Sequence, residues 1–184
     1  MGQELPVTSY ALLGLLTFGD ELTGYELKQR ADLTLRFYWS SPAMSQVYTE
    51  LSRLAGHELV TAVSEGETRR TTRYCITDKG RRELRAWLEQ TPAGFPVLKH
   101  PVALRLLIGH VQDPDGVVRL LREYLDDLAR QRKDLTDVRD SLRGRDAPGE
   151  AFRYPSLVAD WGLAYYQSEE QIARDLLQRL ESGT

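Results

Sequence analysis

One stretch in the second half of this chain leaves its fold little freedom. Val117, Leu121, Tyr124, Leu128, Gln131, Leu135, Val138 and Leu142 follow one another at alternating spacings of four and three. That is a 3.5-residue repeat over more than three heptads, the signature of a narrow helical seam, and only Gln131 interrupts it. The helix starts at Asp113-Pro114, where aspartate serves as cap and proline occupies the first turn. From Val117 to Leu142 the seam runs ~40 Å at 1.5 Å per residue, too long to be satisfied wholly inside one small domain. It is therefore expected to face a second copy of the chain, which makes Val117, Leu121, Tyr124, Leu128, Leu135, Val138 and Leu142 the predicted dimerisation residues. A polar linker, Arg143 to Glu150, leads to a last helix from about Pro155 to Leu180. There Val158, Trp161, Tyr165, Ile172 and Leu176 form a second stripe, a complement to the first within or between subunits. Before the seam, Leu98 to Val111 reads as one apolar helix.

The first half has a different grammar. A helix through Ala11, Leu12, Leu15 and Leu16 begins near Pro6, Thr8 and Ser9 and ends at Gly19-Asp20. Thr23 with Glu26 three residues on is a capping-box pattern, so a second helix runs from about Gly24 to Leu35 with Tyr25, Leu27 and Ala31 inward. Ser41 as cap and Pro42 at the first helical position start a third helix that runs to about Ala55. Leu59, Val60, Ala62 and Val63, then Thr71 to Ile76, flank the turn Glu65-Gly66-Glu67 as a two-stranded hairpin. Thr77 caps a further helix, Asp78 to Glu89, with Leu84, Trp87 and Leu88 inward. Three helices, a hairpin and a helix in this order make a winged helix-turn-helix. The breaker segment Thr91 to Pro96 then separates two predicted domains, a winged domain over 1–91 and a helical dimerisation and effector domain over 95–184. The expected fold class is mainly α.

Function is carried by what the third helix leaves outside. At about 100° per residue, Met44, Val47, Tyr48, Leu51, Leu54 and Ala55 share the core face, and Pro42, Ser45, Gln46, Thr49 and Arg53 lie opposite. Short hydroxyls, an amide and a guanidinium are what base edges in a major groove require, since glutamine bonds adenine, arginine bonds guanine and hydroxyls reach base or phosphate. Ser41, at the helix start, belongs to the same set. The hairpin adds Arg69, Arg70 and Arg73 beside Thr71 and Thr72, suited to phosphate contact. Net charge is −3, so bulk attraction to nucleic acid is excluded and a local patch must act. From Glu65 to Arg85 seven basic residues face four acidic ones, the clearest positive concentration in the chain.

Other chemistries lack their parts. The sequence has no glycine-rich phosphate loop, no G-x-S-x-G elbow and no H-E-x-x-H, so an enzyme is not expected. Asp113-Pro114-Asp115-Gly116 lacks the further ligands of a calcium loop. A single cysteine, Cys75, excludes an intrachain disulfide and any multi-cysteine zinc site, and His57, His100 and His110 have no ligand spacing, so no metal or cofactor is expected. The apolar run Ala11 to Leu16 is far short of a membrane span, and the chain is expected in the cytoplasm.

These residues also carry a resemblance. Ala11-Leu12-Leu13-Gly14-Leu15-Leu16, Leu22-Thr23-Gly24-Tyr25-Glu26-Leu27, Tyr38-Trp39-Ser40, Gln46-Val47-Tyr48-Thr49-Glu50-Leu51, and Tyr74-Cys75-Ile76-Thr77-Asp78-Lys79-Gly80 with Trp87-Leu88 resemble PadR-like transcriptional regulators. The helical second half looks like the longer C-terminal domain of the subgroup related to virulence activators. The resemblance implies a homodimeric, ligand-responsive repressor with the third helix in the major groove and the wing on the backbone. It further implies DNA contact at Ser45, Gln46, Tyr48 and Thr49, and on the wing near Arg73. Expected partners are double-stranded DNA with an inverted-repeat operator, a second copy of the chain, and a small aromatic effector held among Trp87, Trp161 and Tyr165. A winged-helix module that binds protein without DNA is the alternative. One departure concerns the wing. Glu58 stands where the family usually places glycine, so the third helix must end early or His57 or Glu58 must take a left-handed turn.

Overall fold

The computed structural model describes residues 5–19, 21–65, 71–96 and 99–182 and divides into two compact units, Met1–Gly94 and Phe95–Thr184. No helix among the described residues is long and apolar enough to cross a membrane.

In the first unit the elements follow as α1 (Val7–Leu15), β1 (Leu22–Thr23), α2 (Gly24–Thr34), α3 (Met44–Gly56), β2 (Val60–Glu65), β3 (Thr71–Ile76) and α4 (Asp78–Gln90). The capping box of α2 is formed: the Thr23 hydroxyl accepts from the Glu26 amide, and the Glu26 carboxylate accepts from the Thr23 amide at 2.8 Å. Leu12 and Leu13 of α1, Leu27 and Ala31 of α2, and Val47, Leu51 and Leu54 of α3 are completely buried together. At about 1.5–3 kcal/mol for each large side chain, this cluster fixes the angle at which α3 is presented. Tyr25, expected inward on α2, is exposed instead, because Leu27 and Ala31 already fill that contact. Leu88 of α4 is exposed as well, and Leu84 with Trp87 makes the contact to the core.

The hairpin pairs β2 with β3 antiparallel, Val60 opposite Ile76 and Val63 opposite Arg73. A third strand, β1, joins the other edge of β3 with Thr23 opposite Arg73, giving the order β1-β3-β2. Two residues are too few to show an alternating pattern, so the sequence indicates only the two-stranded wing.

The end of α3 resolves the Glu58 departure. Glu58 has φ +60°, its amide donates to Ala55 O, and the Leu59 amide reaches back to Leu54 O. This pair of bonds is a Schellman closure with glutamate in the left-handed position that glycine usually fills. The Lys79 ammonium holds its carboxylate at 2.9 Å. Thr77 then caps α4, accepting from the Gly80 amide and donating to Glu58 O. Gly80 is sterically required there, since a Cβ would lie 2.2 Å from Leu59 O.

The second unit consists of α5 (Pro101–Leu107), α6 (Pro114–Ser141) and α7 (Arg153–Ser182). The helix expected from Leu98 to Val111 is shorter: Pro101 starts it, His100 caps it, and only a single 3₁₀ turn, Gly109–Val111, follows. Leu98 itself lies outside the described residues. Leu104, Leu107, Ile108 and Val111 are exposed. Helices α6 and α7 form an antiparallel hairpin, as the ion pairs Arg122–Glu181, Arg132–Glu170 and Arg139–Asp160, each at 2.7 Å, establish by their descending partner numbers.

The seam of α6 is real, but its partner lies in the same chain. Val117, Leu121, Leu128, Leu135 and Leu142 are buried within the single chain, Val138 is half-buried, and Tyr124 hydrogen-bonds Glu169 of α7. Five of the seven residues expected at a subunit interface, Val117, Leu121, Leu128, Leu135 and Leu142, are thus already covered within one chain, which leaves them little surface for a second copy. On α7 the buried residues are small, Ser156, Ala159, Gly162 and Ala173. Conversely, Trp161 at 74% exposure, Ile172 and Tyr165 of the expected α7 stripe face outward, in line with Tyr154 and Leu157.

Candidate nucleic-acid interface

Helix α3 is amphipathic, and its outer face is built of short polar groups. Ser45, Gln46, Tyr48, Thr49 and Ser52 are exposed, while Val47, Leu51 and Leu54 anchor the opposite side. The Thr49 hydroxyl donates to Ser45 O and that of Ser52 to Tyr48 O, which fixes both rotamers along the helix. Each oxygen keeps acceptor capacity toward an outside donor. Tyr48, which the helical wheel buries, is 47% exposed. Its ring lies across Gly24, where an added Cβ would approach it to 2.6 Å, so the start of α2 supports the ring. Tyr74 of β3 sits beside Tyr48, and burial pushes its phenol above the ordinary tyrosine range.

Three residues of the expected set occupy other roles. Ser41 does not cap α3, whose cap is Ala43 without a side-chain bond. Its hydroxyl instead donates to Asp32 at 2.5 Å and accepts from Lys28 at 3.3 Å, joining the segment before α3 to α2. A hydroxyl within reach of a carboxylate–ammonium pair makes stronger, charge-assisted bonds there than at an amide. Pro42 is buried, two residues before the helix begins. Arg53 is half-buried, and its Nη1 lies 2.6 Å from each oxygen of the Glu50 carboxylate. In this arrangement the guanidinium is engaged within α3 rather than extended along its outer face.

On the wing, Arg73 donates to Glu21 O at 3.0 Å and approaches the Glu26 carboxylate at 3.5 Å. It thus joins β3 to the start of α2 while remaining partly exposed. Arg69 and Arg70 lie outside the described residues. Bonds from Thr23, and the Arg73 charge behind them, hold the Glu26 carboxyl below its ordinary range.

Of the aromatic residues expected at an effector pocket, Trp87 belongs to the first unit and Trp161 and Tyr165 to the second. Trp87 stacks on Tyr10 within the first unit, with centroids 4.7 Å apart and planes 9° from parallel. Trp161 and Tyr165 lie on the outward face of α7. A cavity of about 670 Å³ in the second unit is lined by other residues, among them Leu106, His110, Val117, Arg122 and Leu180.

Sequence reasoning missed a polar cluster between α5, α6 and α7. The Tyr124 hydroxyl donates to Glu169 Oε2 at 2.8 Å, and His100 Nε2 lies 2.9 Å from the same oxygen and 3.0 Å from the phenol. His100 Nδ1 accepts from the Ala103 amide, so Nε2 carries the proton of the neutral ring. Burial, and then Glu169, raise the Tyr124 phenol far above its ordinary range. His100 and Glu169 are separated by 69 residues, and no spacing rule joins them.

A polar-faced third helix on a three-helix core, followed by a basic wing, defines a winged-helix nucleic-acid-binding class. The sequence matches the model of the transcriptional regulator PadR-like family over residues 12–86 and that of the virulence activator alpha C-terminal domain over residues 98–181. The chain thus carries a PadR-like transcriptional regulator domain followed by a domain of the virulence-activator alpha C-terminal type. Among curated proteins it is 37% identical over 84 residues to the negative transcriptional regulator PadR of Bacillus subtilis, a match that spans 45% of each chain. The fold is shared over nearly full length with solved structures. These include Bacillus subtilis PadR in complex with operator DNA (TM-score 0.82, 24% identity, 95% of this chain and 99% of that one). The same protein in complex with p-coumaric acid gives a TM-score of 0.77 at 24% identity, covering 96% and 99%. The Vibrio cholerae virulence activator AphA gives 0.72 at 22% identity, covering 96% and 99%.

Proposed function

We propose that the chain acts as a homodimeric, sequence-specific DNA-binding regulator, a repressor released by a small aromatic effector. The observation that carries this reading is the outer face of α3, where Ser45, Gln46, Tyr48 and Thr49 are exposed together on a helix fixed by a fully buried core. In a major groove Gln46 can pair with adenine, Ser45 and Thr49 can reach base or phosphate, and the Tyr48 hydroxyl can reach the backbone. Arg73, with Arg69 and Arg70, supplies the wing's phosphate contacts.

Dimerisation in this reading uses the outward face of α7 rather than the α6 seam. Tyr154, Leu157, Trp161, Tyr165 and Ile172 are large, exposed and spaced to share a stripe, and tryptophan and tyrosine are enriched among the anchors of protein interfaces. A two-fold pair would set two α3 helices roughly 34 Å apart and require an inverted-repeat operator. The negative regulation named for the Bacillus subtilis relative supports repression, and its p-coumaric acid complex supports an effector that is small and aromatic.

The test is an electrophoretic shift with the DNA upstream of the chain's own gene, against random competitor. Gln46→Ala is expected to cost about 1–3 kcal/mol at the specific site and much less on random DNA. Equal losses on both would remove the base-reading role, and a chain that shifts neither would favour a protein-binding winged helix.

A further inference from the structure

Among the described residues of the first unit, one charged side chain lies in the interior, and the reading of α3 does not use it. Glu50 is 5% exposed, one residue past Thr49. Its Oε2 accepts from Ser9 of α1, itself fully buried, and both of its oxygens lie 2.6 Å from Nη1 of Arg53. A carboxylate in such a place is costly without its partners, and here they come from both sides, a hydroxyl from beneath and a guanidinium from above. Gln46, Thr49 and Arg53 stand at i, i+3 and i+7, one stripe of the helix. An unrestrained guanidinium at position 53 would therefore lie along the DNA-facing stripe and meet phosphate, the contact that carries no sequence information.

We propose that Glu50 is a specificity-determining residue, which holds Arg53 against the helix and withholds its charge from the DNA backbone. This rests on the reading of α3 as the DNA-facing helix. The consequence is weaker binding to random sequence, so that Gln46, Ser45 and Thr49 supply a larger share of the affinity at the operator. Each additional phosphate neutralised by a protein cation steepens the dependence of log K on log salt by about 0.9.

The experiment measures binding of the full chain to random duplex DNA across a salt series, with thermal melts to confirm folding. Glu50→Gln keeps the shape and a bond to Ser9 but releases Arg53, and is expected to steepen the slope by about 0.9 relative to the double variant Glu50→Gln/Arg53→Gln. Removal of the buried charge itself acts equally in both, so the difference reports Arg53 alone. Arg53→Gln in the natural background is expected to leave the slope unchanged. Should Glu50→Gln fail to fold, Arg53→Gln alone decides: a slope shallower by about 0.9 means that Arg53 already sits on phosphate and overturns the proposal. Equal slopes for Glu50→Gln and the double variant overturn it too. A natural chain that binds no DNA at all sinks the reading of α3 itself, an outcome distinct from either.

Discussion

Replacing Leu135 by alanine separates what holds one chain together from what joins two. Leu135 is fully buried between α6 and α7. The change removes three carbons, about 2.4 kcal/mol of transfer free energy at 0.8 kcal/mol each, and the unfilled space brings the expected loss to roughly 2.5–5 kcal/mol. Because the seam closes within the chain, the loss should be the same at protein concentrations a hundredfold apart, and the dimer dissociation constant should move less than tenfold. Trp161→Ala should do the reverse. Its side chain contributes little to the hairpin at 74% exposure, yet as an interface anchor it should cost about 2 kcal/mol or more, roughly thirtyfold in Kd. Urea unfolding at two concentrations, with sedimentation equilibrium of the same samples, measures both. If Leu135→Ala loosens the dimer and Trp161→Ala only lowers the unfolding midpoint, the two faces of the hairpin have been assigned the wrong way round.

Three further outcomes follow from the local geometry. Tyr124 has a folded-state pKa raised above its unfolded value, so its contribution is present below about pH 10 and is lost as pH rises through the folded value. Unfolding followed from pH 8 to 11 should show stability falling at the alkaline end, and Tyr124→Phe should flatten that fall; an unchanged slope would detach it from this phenol. Thr77→Ala removes a formed cap and should cost about 1 kcal/mol. Ser41→Ala removes no cap but loses the bonds to Asp32 and Lys28, and should cost about 1 kcal/mol, a loss that largely disappears in an Asp32→Ala background; a loss in thermal melts that persists there would restore Ser41 to a capping role.

The parts of this fold visible in the sequence are those decided by neighbours along the chain. The Thr23–Glu26 box, the Thr77 cap and the spacing of the α6 seam involve residues within a few positions of one another, and all three form as expected. Failures begin where a distant residue competes for the same group. Ser41 and Pro42 carry a strong local start signal, but Asp32 and Lys28, on another helix, take the hydroxyl, and α3 begins at Met44. The period of the seam reveals a narrow apolar stripe without saying whose side chains cover it. The buried residues of α7, Ser156, Ala159, Gly162 and Ala173, are too small to stand out beside the aromatics on the opposite face. Of the candidate site, Ser45, Gln46 and Thr49 were legible from the helical wheel alone. The engagement of Arg53 was not, because the wheel places Glu50 on the flank and gives no hint that Ser9 waits beneath it.

The division of labour on α7 bears on a problem that any cell holding several regulators of this build must solve. Leucines of α6 against alanine, serine and glycine of α7 make a generic contact, one that many related hairpins could share without consequence. On the dimer proposed above, identity is written on the other side, where the outlines of Tyr154, Leu157, Trp161, Tyr165 and Ile172 must match their own copies across a two-fold axis. Bulky rings of fixed shape reject a mismatched surface more sharply than small side chains do. Mixed pairs, which would present two different reading helices to a symmetric operator, are then excluded by the same stripe that makes the correct pair.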